Sequence, residues 1–168
     1  MKERTILIKM FFILIIIMPK FGNAQVKDEH LRLEVLHKNK IGKEFIFGKW
    51  NDKGGTETSL TYLGILKTDK GKAYKIMNSV WTWGMSCRST SRILIFNAKN
   101  QYLGNYYIFR ESELPKEIKN DFLIFNNTAD TECDKKVFTK ISFKNGLPKK
   151  IFIECKNRYG NFYPFEGD

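Results

Sequence analysis

Ala73-Tyr74-Lys75-Ile76-Met77-Asn78-Ser79-Val80-Trp81-Thr82-Trp83 is apolar on both sides of an extended chain. Side chains alternate across a strand, so Tyr74, Ile76 and Val80 share one face and Met77, Trp81 and Trp83 the other. An antiparallel strand with one wet face alternates apolar with polar residues. This stretch does not, and neither do residues 92–96 and 102–109. The expectation is a set of central strands covered twice, by a second sheet on one side and by a loop, helix, ligand or partner on the other.

Outward from that core, short β-branched and aromatic runs recur between turn signals: residues 45–47, 58–66, 122–125, 136–143, 151–155 and 161–165. Leu31, Leu33 and Val35 alternate with Arg32 and Glu34, which reads as a strand, with a short helix over residues 28–36 as the competing reading. Residues 111–119, holding Pro115, read as a loop or single helical turn. About ten strands at this spacing give an all-β, mostly antiparallel, single-domain fold of 8–10 strands, either a β-sandwich or an up-and-down barrel. Gly48-Lys49-Trp50 resembles the Gly-x-Trp near the start of lipocalin-like barrels, where the Trp closes one end. That resemblance implies a barrel with an apolar lumen, although here residues 45–47 precede the motif and a Gly-rich turn follows it.

The start of the chain says where it goes. Lys2 and Arg4, the apolar run from Met10 to Met18, and small residues Gly22 and Ala24 before Gln25 form a secretory signal peptide. Nine apolar residues fall well short of the roughly 20 that a spanning helix needs, so residues 1–24 are expected to be cleaved. Residues 25–168 then form one β-rich domain, secreted or periplasmic, with no stable membrane span. The whole chain carries a formal +11; removing Lys2, Arg4, Lys9, Lys20 and Glu3 leaves +8.

Such an excess favours anionic surfaces. The 23 Lys and 6 Arg are scattered through the chain without a like-charge run of five, so a nucleic-acid partner is not expected. Abundant Lys, Ile, Asn and Phe share A/T-rich codons, which points to a bacterial source. Cys87, Cys133 and Cys155 include one leftover thiol. Cys133 and Cys155 flank a turn at Asn145-Gly146-Leu147-Pro148. As the ends of one hairpin they would face the same side, four residues out of register, so a bridge requires a bulge or bend. Neither metal nor cofactor is expected, because no cysteine pair has ligand spacing and His30 and His37 both lie near the start of the mature chain.

The richest chemistry lies between Trp81 and Arg92. Trp81 and Trp83 share a strand face at a spacing suited to planar or sugar rings, and Arg88 and Arg92 add planar cationic donors. Tyr62 and Tyr106 are expected neighbours. These residues suggest a small exported binding protein without catalytic activity, its ligand anionic or glycan-like. The alternatives are a secreted hydrolase using Glu57 or Cys87, and a partner-binding inhibitor or immunity-like protein. Asn126-Asn127-Thr128 matches a glycosylation sequon that matters only in a eukaryotic secretory route. Mass spectrometry of the exported product is expected to find Gln25 at its N-terminus.

Overall fold

The computed structural model describes residues 23–128 and 132–167, with side chains from residue 28 onward. The leader expected over residues 1–24 lies outside the described residues up to residue 22. The chain divides into two compact units, Met1–Leu31 and Arg32–Asp168, with the boundary inside helix α1 (Asn23–Lys38). The second unit holds all ten strands found among the described residues: β1 (Glu44–Gly48), β2 (Glu57–Lys67), β3 (Ala73–Trp83), β4 (Arg88–Asn97), β5 (Tyr102–Ile108), β6 (Glu117–Lys119), β7 (Phe122–Asn126), β8 (Phe138–Ser142), β9 (Lys150–Lys156) and β10 (Tyr159–Gly167). No helix among the described residues is long and apolar enough to cross a membrane.

Seven strands form one antiparallel sheet in the order β1-β2-β3-β4-β5-β10-β9, and β6-β7-β8 form a second. The all-β sandwich holds, and the closed barrel does not. A barrel would pair β1 with β9. Instead, the free side of β9 receives contacts from the small sheet and the loop before it: the Asp134 N–H donates to the Cys155 carbonyl (2.9 Å) and the Glu154 N–H to Thr139 Oγ1 (2.9 Å). The lipocalin-like role of Trp50 falls with the barrel. Its indole N–H donates to the Gly84 carbonyl at 2.8 Å, tying the loop after β1 to the β3–β4 hairpin.

The inner face of the large sheet meets the small sheet in one core. Ile76 of β3, Ile93 and Ile95 of β4, Tyr106 and Ile108 of β5, Ile151 and Ile153 of β9 and Tyr163 of β10 cluster with Leu123 and Phe125 of β7 and with Phe143. Each buried aliphatic or aromatic side chain of this kind contributes roughly 1.5–3 kcal/mol. The polar ends within this core are bonded: Tyr106 Oη donates to the Pro148 carbonyl (2.6 Å) and Tyr163 Oη to Glu113 Oε2 (2.5 Å). Glu113 closes a 3-10 turn, Glu111–Glu113, that leads into β6. The stretch read as loop or helical turn thus holds both that turn and a short strand whose three residues carried too little pattern to be seen.

The outer face is ordered in rows by strand register. Tyr62, Met77, Leu94 and Asn105 lie across β2 to β5 in one row, and Phe45, Leu60, Ser79, Arg92 and Tyr107 across β1 to β5 in the next. Met77 and Leu94 are fully buried, and so are Val35 and, nearly, Leu36 of α1. The last two turns of α1 run over this face, with the Arg32 guanidinium on the Tyr102 ring (5.3 Å) and the Lys38 ammonium on the Phe45 ring (4.9 Å). Helix therefore replaces the strand expected at Leu31, Leu33 and Val35. Arg32, Val35 and Leu36 recur at helical spacing, Leu, Glu, Arg and Lys favour helix, and Glu34 pairs with Lys38 one turn on at 2.5 Å. Asn39, at φ 49°, ends the helix in the left-handed region with its N–H on the Val35 carbonyl.

Cys133 and Cys155 are bridged, with Cα atoms 4.5 Å apart. The expected hairpin between them is not formed: β8 pairs with β7 and β9 with β10, so the bridge joins the loop before β8 in the small sheet to a strand of the large one. That crossing removes the register conflict. The Asn127 amide reinforces it, donating to the carbonyls of Asp134 (3.0 Å), Glu154 (3.2 Å) and Cys155 (2.9 Å). Gly104 marks a second close approach. It sits at φ 137° beside a β5 bulge at Leu103, where an added Cβ would lie 2.1 Å from the Glu166 carbonyl oxygen of β10.

Three measurements check this architecture. Replacing both bridged cysteines by serine is expected to lower unfolding free energy by about 3 kcal/mol, from the entropy of the 22-residue loop it closes. Gly104→Ala is expected to cost about 3 kcal/mol by forcing β10 away from β5. Burial raises the pKa of the Tyr62, Tyr106 and Tyr163 hydroxyls above the ordinary tyrosine value, with Glu113 adding to the effect at Tyr163. Above about pH 10 the unfolded chain releases tyrosyl protons that the folded chain retains, so this contribution is intact below that pH and is lost as pH rises through the folded values. Denaturant midpoints are expected to fall above about pH 10, and less so for Tyr106→Phe with Tyr163→Phe.

Candidate functional site

The β3–β4 hairpin turns through Gly84 to Cys87, whose N–H donates back to the Gly84 carbonyl (3.3 Å). Its register sets Trp83 opposite Arg88, Trp81 opposite Thr90 and Ser79 opposite Arg92, all on the outer face. Across β4, Arg92 is also opposite Tyr107 of β5. The sheet thus gathers Trp81, Trp83, Arg88 and Arg92 on one face with Tyr107, from the row of Phe45 toward the β3–β4 turn and away from Tyr102, where Arg32 of α1 rests. Phe109 follows at the end of β5, where its ring is edge-on to Tyr107 at 6.4 Å and, closer, to Tyr163 of the inner core at 5.2 Å.

This end stays open to water. Trp81 and Tyr107 are each 39% exposed and Phe109 is 64% exposed, unusual for large aromatics lying together. Trp81 and Trp83 stack on one another, with centroids 5.5 Å apart and planes 24° from parallel, and the Arg88 guanidinium lies over the Trp83 ring at 5.6 Å. The three groups make one column, so the indoles present themselves as a stack and not as two separate platforms. The Trp83 indole N–H is buried without an acceptor among the described residues, which leaves a donor costing about 1–3 kcal/mol unless a partner reaches it.

Tyr62 and Tyr106 do not join the cluster. Tyr62 is on the outer face but 2% exposed, opposite Met77 and four residues along the sheet from the row of Trp81. Tyr106 is fully buried on the inner face. One residue of parity separates it from Tyr107, which does face Arg92. The pair Tyr106-Tyr107 announced an aromatic on each face; only the register with β4 says which one meets the arginine.

The residues named for catalysis sit near this end in other settings. Glu57 begins β2, and its Oε2 accepts from the Trp50 backbone N–H at 3.3 Å, fastening the loop after β1. Cys87 is an exposed free thiol at the hairpin tip, at φ 50°. His37 is exposed on α1. No family model, curated protein or solved structure matches this chain.

Proposed function

We propose that this is an exported binding protein that acts without catalysis and holds an anionic or glycan-like ligand against the Trp81–Arg92 end of its outer face. One observation carries the reading: α1 rests on the outer face at Tyr102 and Phe45, while toward the β3–β4 turn Trp81, stacked on Trp83, and Tyr107 stay exposed beside two arginines. Uncovered aromatic surface suits ring stacking, and the guanidinium of Arg92, between Ser79 and Tyr107, suits a carboxylate, sulfate or phosphate. An acceptor on the ligand would also satisfy the Trp83 N–H. The secretory leader at residues 1–24, the Cys133–Cys155 bridge and the formal +8 of the remaining chain support a setting outside the cytoplasm.

The open edge at β1 favours a second reading, a partner-binding inhibitor or immunity-like protein. Among the described residues β1 pairs only with β2; it contains no proline and leaves Ile46 59% exposed, which suits strand addition by an extended peptide. Replacing Ile46 with Lys would abolish partner capture on that reading and leave ligand binding at the tryptophans intact.

For the main reading, whose probe is a short unsulfated oligosaccharide carrying a uronic-acid carboxylate, Trp81→Ala with Trp83→Ala is expected to weaken binding by tenfold to a hundredfold in calorimetric titration, since stacking contributes about 1–3 kcal/mol per ring. Arg88→Gln with Arg92→Gln is expected to remove most of the salt dependence. Unchanged affinity in a folded double-tryptophan variant overturns the proposal.

A further inference from the structure

The opposite end of the sheet carries a different chemistry. Antiparallel pairing brings three turns together there: residues 68–72 between β2 and β3, residues 98–101 between β4 and β5, and residues 143–149 before β9. Tyr74 pairs with Asn97 in register, so the first two turns are neighbours, and the Asp69 N–H donates to the Lys144 carbonyl at 3.0 Å, which joins the third to the first. Lys67, Lys70 and Lys72 flank the first turn, Lys99 rides on the second, and Lys144 and Lys149 belong to the third; all six are exposed.

Acidic residues do little to offset them. Asp69 lies 3.6 Å from the Lys144 ammonium, Glu166 stands near the end of β10, and the β6–β7 turn adds one charge of each sign, Lys119 and Asp121. Between the first and third turns lies a hollow of about 400 Å³, bordered by Lys70, Lys72 and Lys144 with Thr68, Tyr74 and Asn145. The Lys72 ammonium sits 5.1 Å above the Tyr74 ring, so the wall holds its cation over an aromatic face. Like charges converging on a recess raise the local concentration of anions.

We infer that this lysine-rich end is a second binding site, separate from the aromatic–arginine face, for the sulfate or phosphate groups of an anionic glycan chain. A recess accepts a charged group projecting from a flexible polymer. A bilayer surface would instead call for apolar anchors, and among the described residues none of the exposed large apolar ones borders the hollow: Trp81, Met85, Tyr107 and Phe109 lie toward the other end of the sheet, Ile65 stands two residues before Lys67, and the Lys150 ammonium caps the Phe162 ring at 4.8 Å. Lysine, a compact point charge on a flexible stem, suits tolerant recognition of such groups along a chain.

The test uses the mature protein with heparin as the soluble sulfated glycan, and vesicles of phosphatidylglycerol and phosphatidylcholine as the membrane probe. Heparin affinity is expected to fall at least tenfold as salt rises from about 50 to about 200 mM. Lys70→Glu, Lys72→Glu and Lys144→Glu together are expected to weaken it at least tenfold, and the corresponding Arg replacements to restore it. Trp81→Ala with Trp83→Ala is expected to retain it, which separates this site from the aromatic one. Absence of heparin binding at low salt, a triple Glu variant binding as tightly as the unaltered protein, or co-sedimentation with vesicles in place of heparin binding would each overturn the inference.

Discussion

Everything in this molecule follows from strands that cannot be left wet on either side. β3, β4 and β5 carry apolar residues at both parities, so a single layer could not hold them, and a two-layer sandwich would still leave one face bare. The chain meets the constraint with two different covers. A three-stranded sheet closes over Ile76, Ile93 and Tyr106, and a helix lies over Met77 and Leu94. The central sheet becomes the middle layer of the unit.

The two covers are fastened in different ways because they arrive by different routes. The small sheet is cut into the middle of the large one, between β5 and β9, so both its ends return to the sheet it covers. The disulfide and the Asn127 amide clamp it near β9, and Tyr163 with Glu113 hold its entry. The helix has a chain connection to the sheet only through residues 39–43 and rests on cations over Tyr102 and Phe45. Since one helix crossing the face from β5 to β1 is narrower than the 11-residue β3 and 10-residue β4 are long, the cover runs out. The aromatic–arginine end of the face is what remains.

Charge follows a similar logic. Along the chain the lysines look evenly sprinkled, and no sequence window singles them out. Antiparallel meanders place every second turn at the same end, so lysines separated by tens of residues in sequence become neighbours in space. Trp81, Tyr107 and two arginines gather toward the β3–β4 turn and six exposed lysines around the turns at the opposite end, which gives one small domain two surfaces of unlike character.

The sequence alone determined the fold class, the number and approximate limits of most strands, the need for cover on both faces, and the grouping of Trp81, Trp83, Arg88 and Arg92, because alternation along a strand is a local property of period two. It also brought Cys133 and Cys155 together as a candidate pair. Only tertiary structure decided that residues 31–35 coil, since apolar alternation there competes with helical spacing over too few residues to separate them. Only it decided that β8 and β9 belong to different sheets, that the sheet stays open, and that Tyr107, not Tyr106, faces the arginine. Those outcomes depend on pairing between distant segments, where a shift of one residue reverses every side chain and leaves no trace in the local pattern.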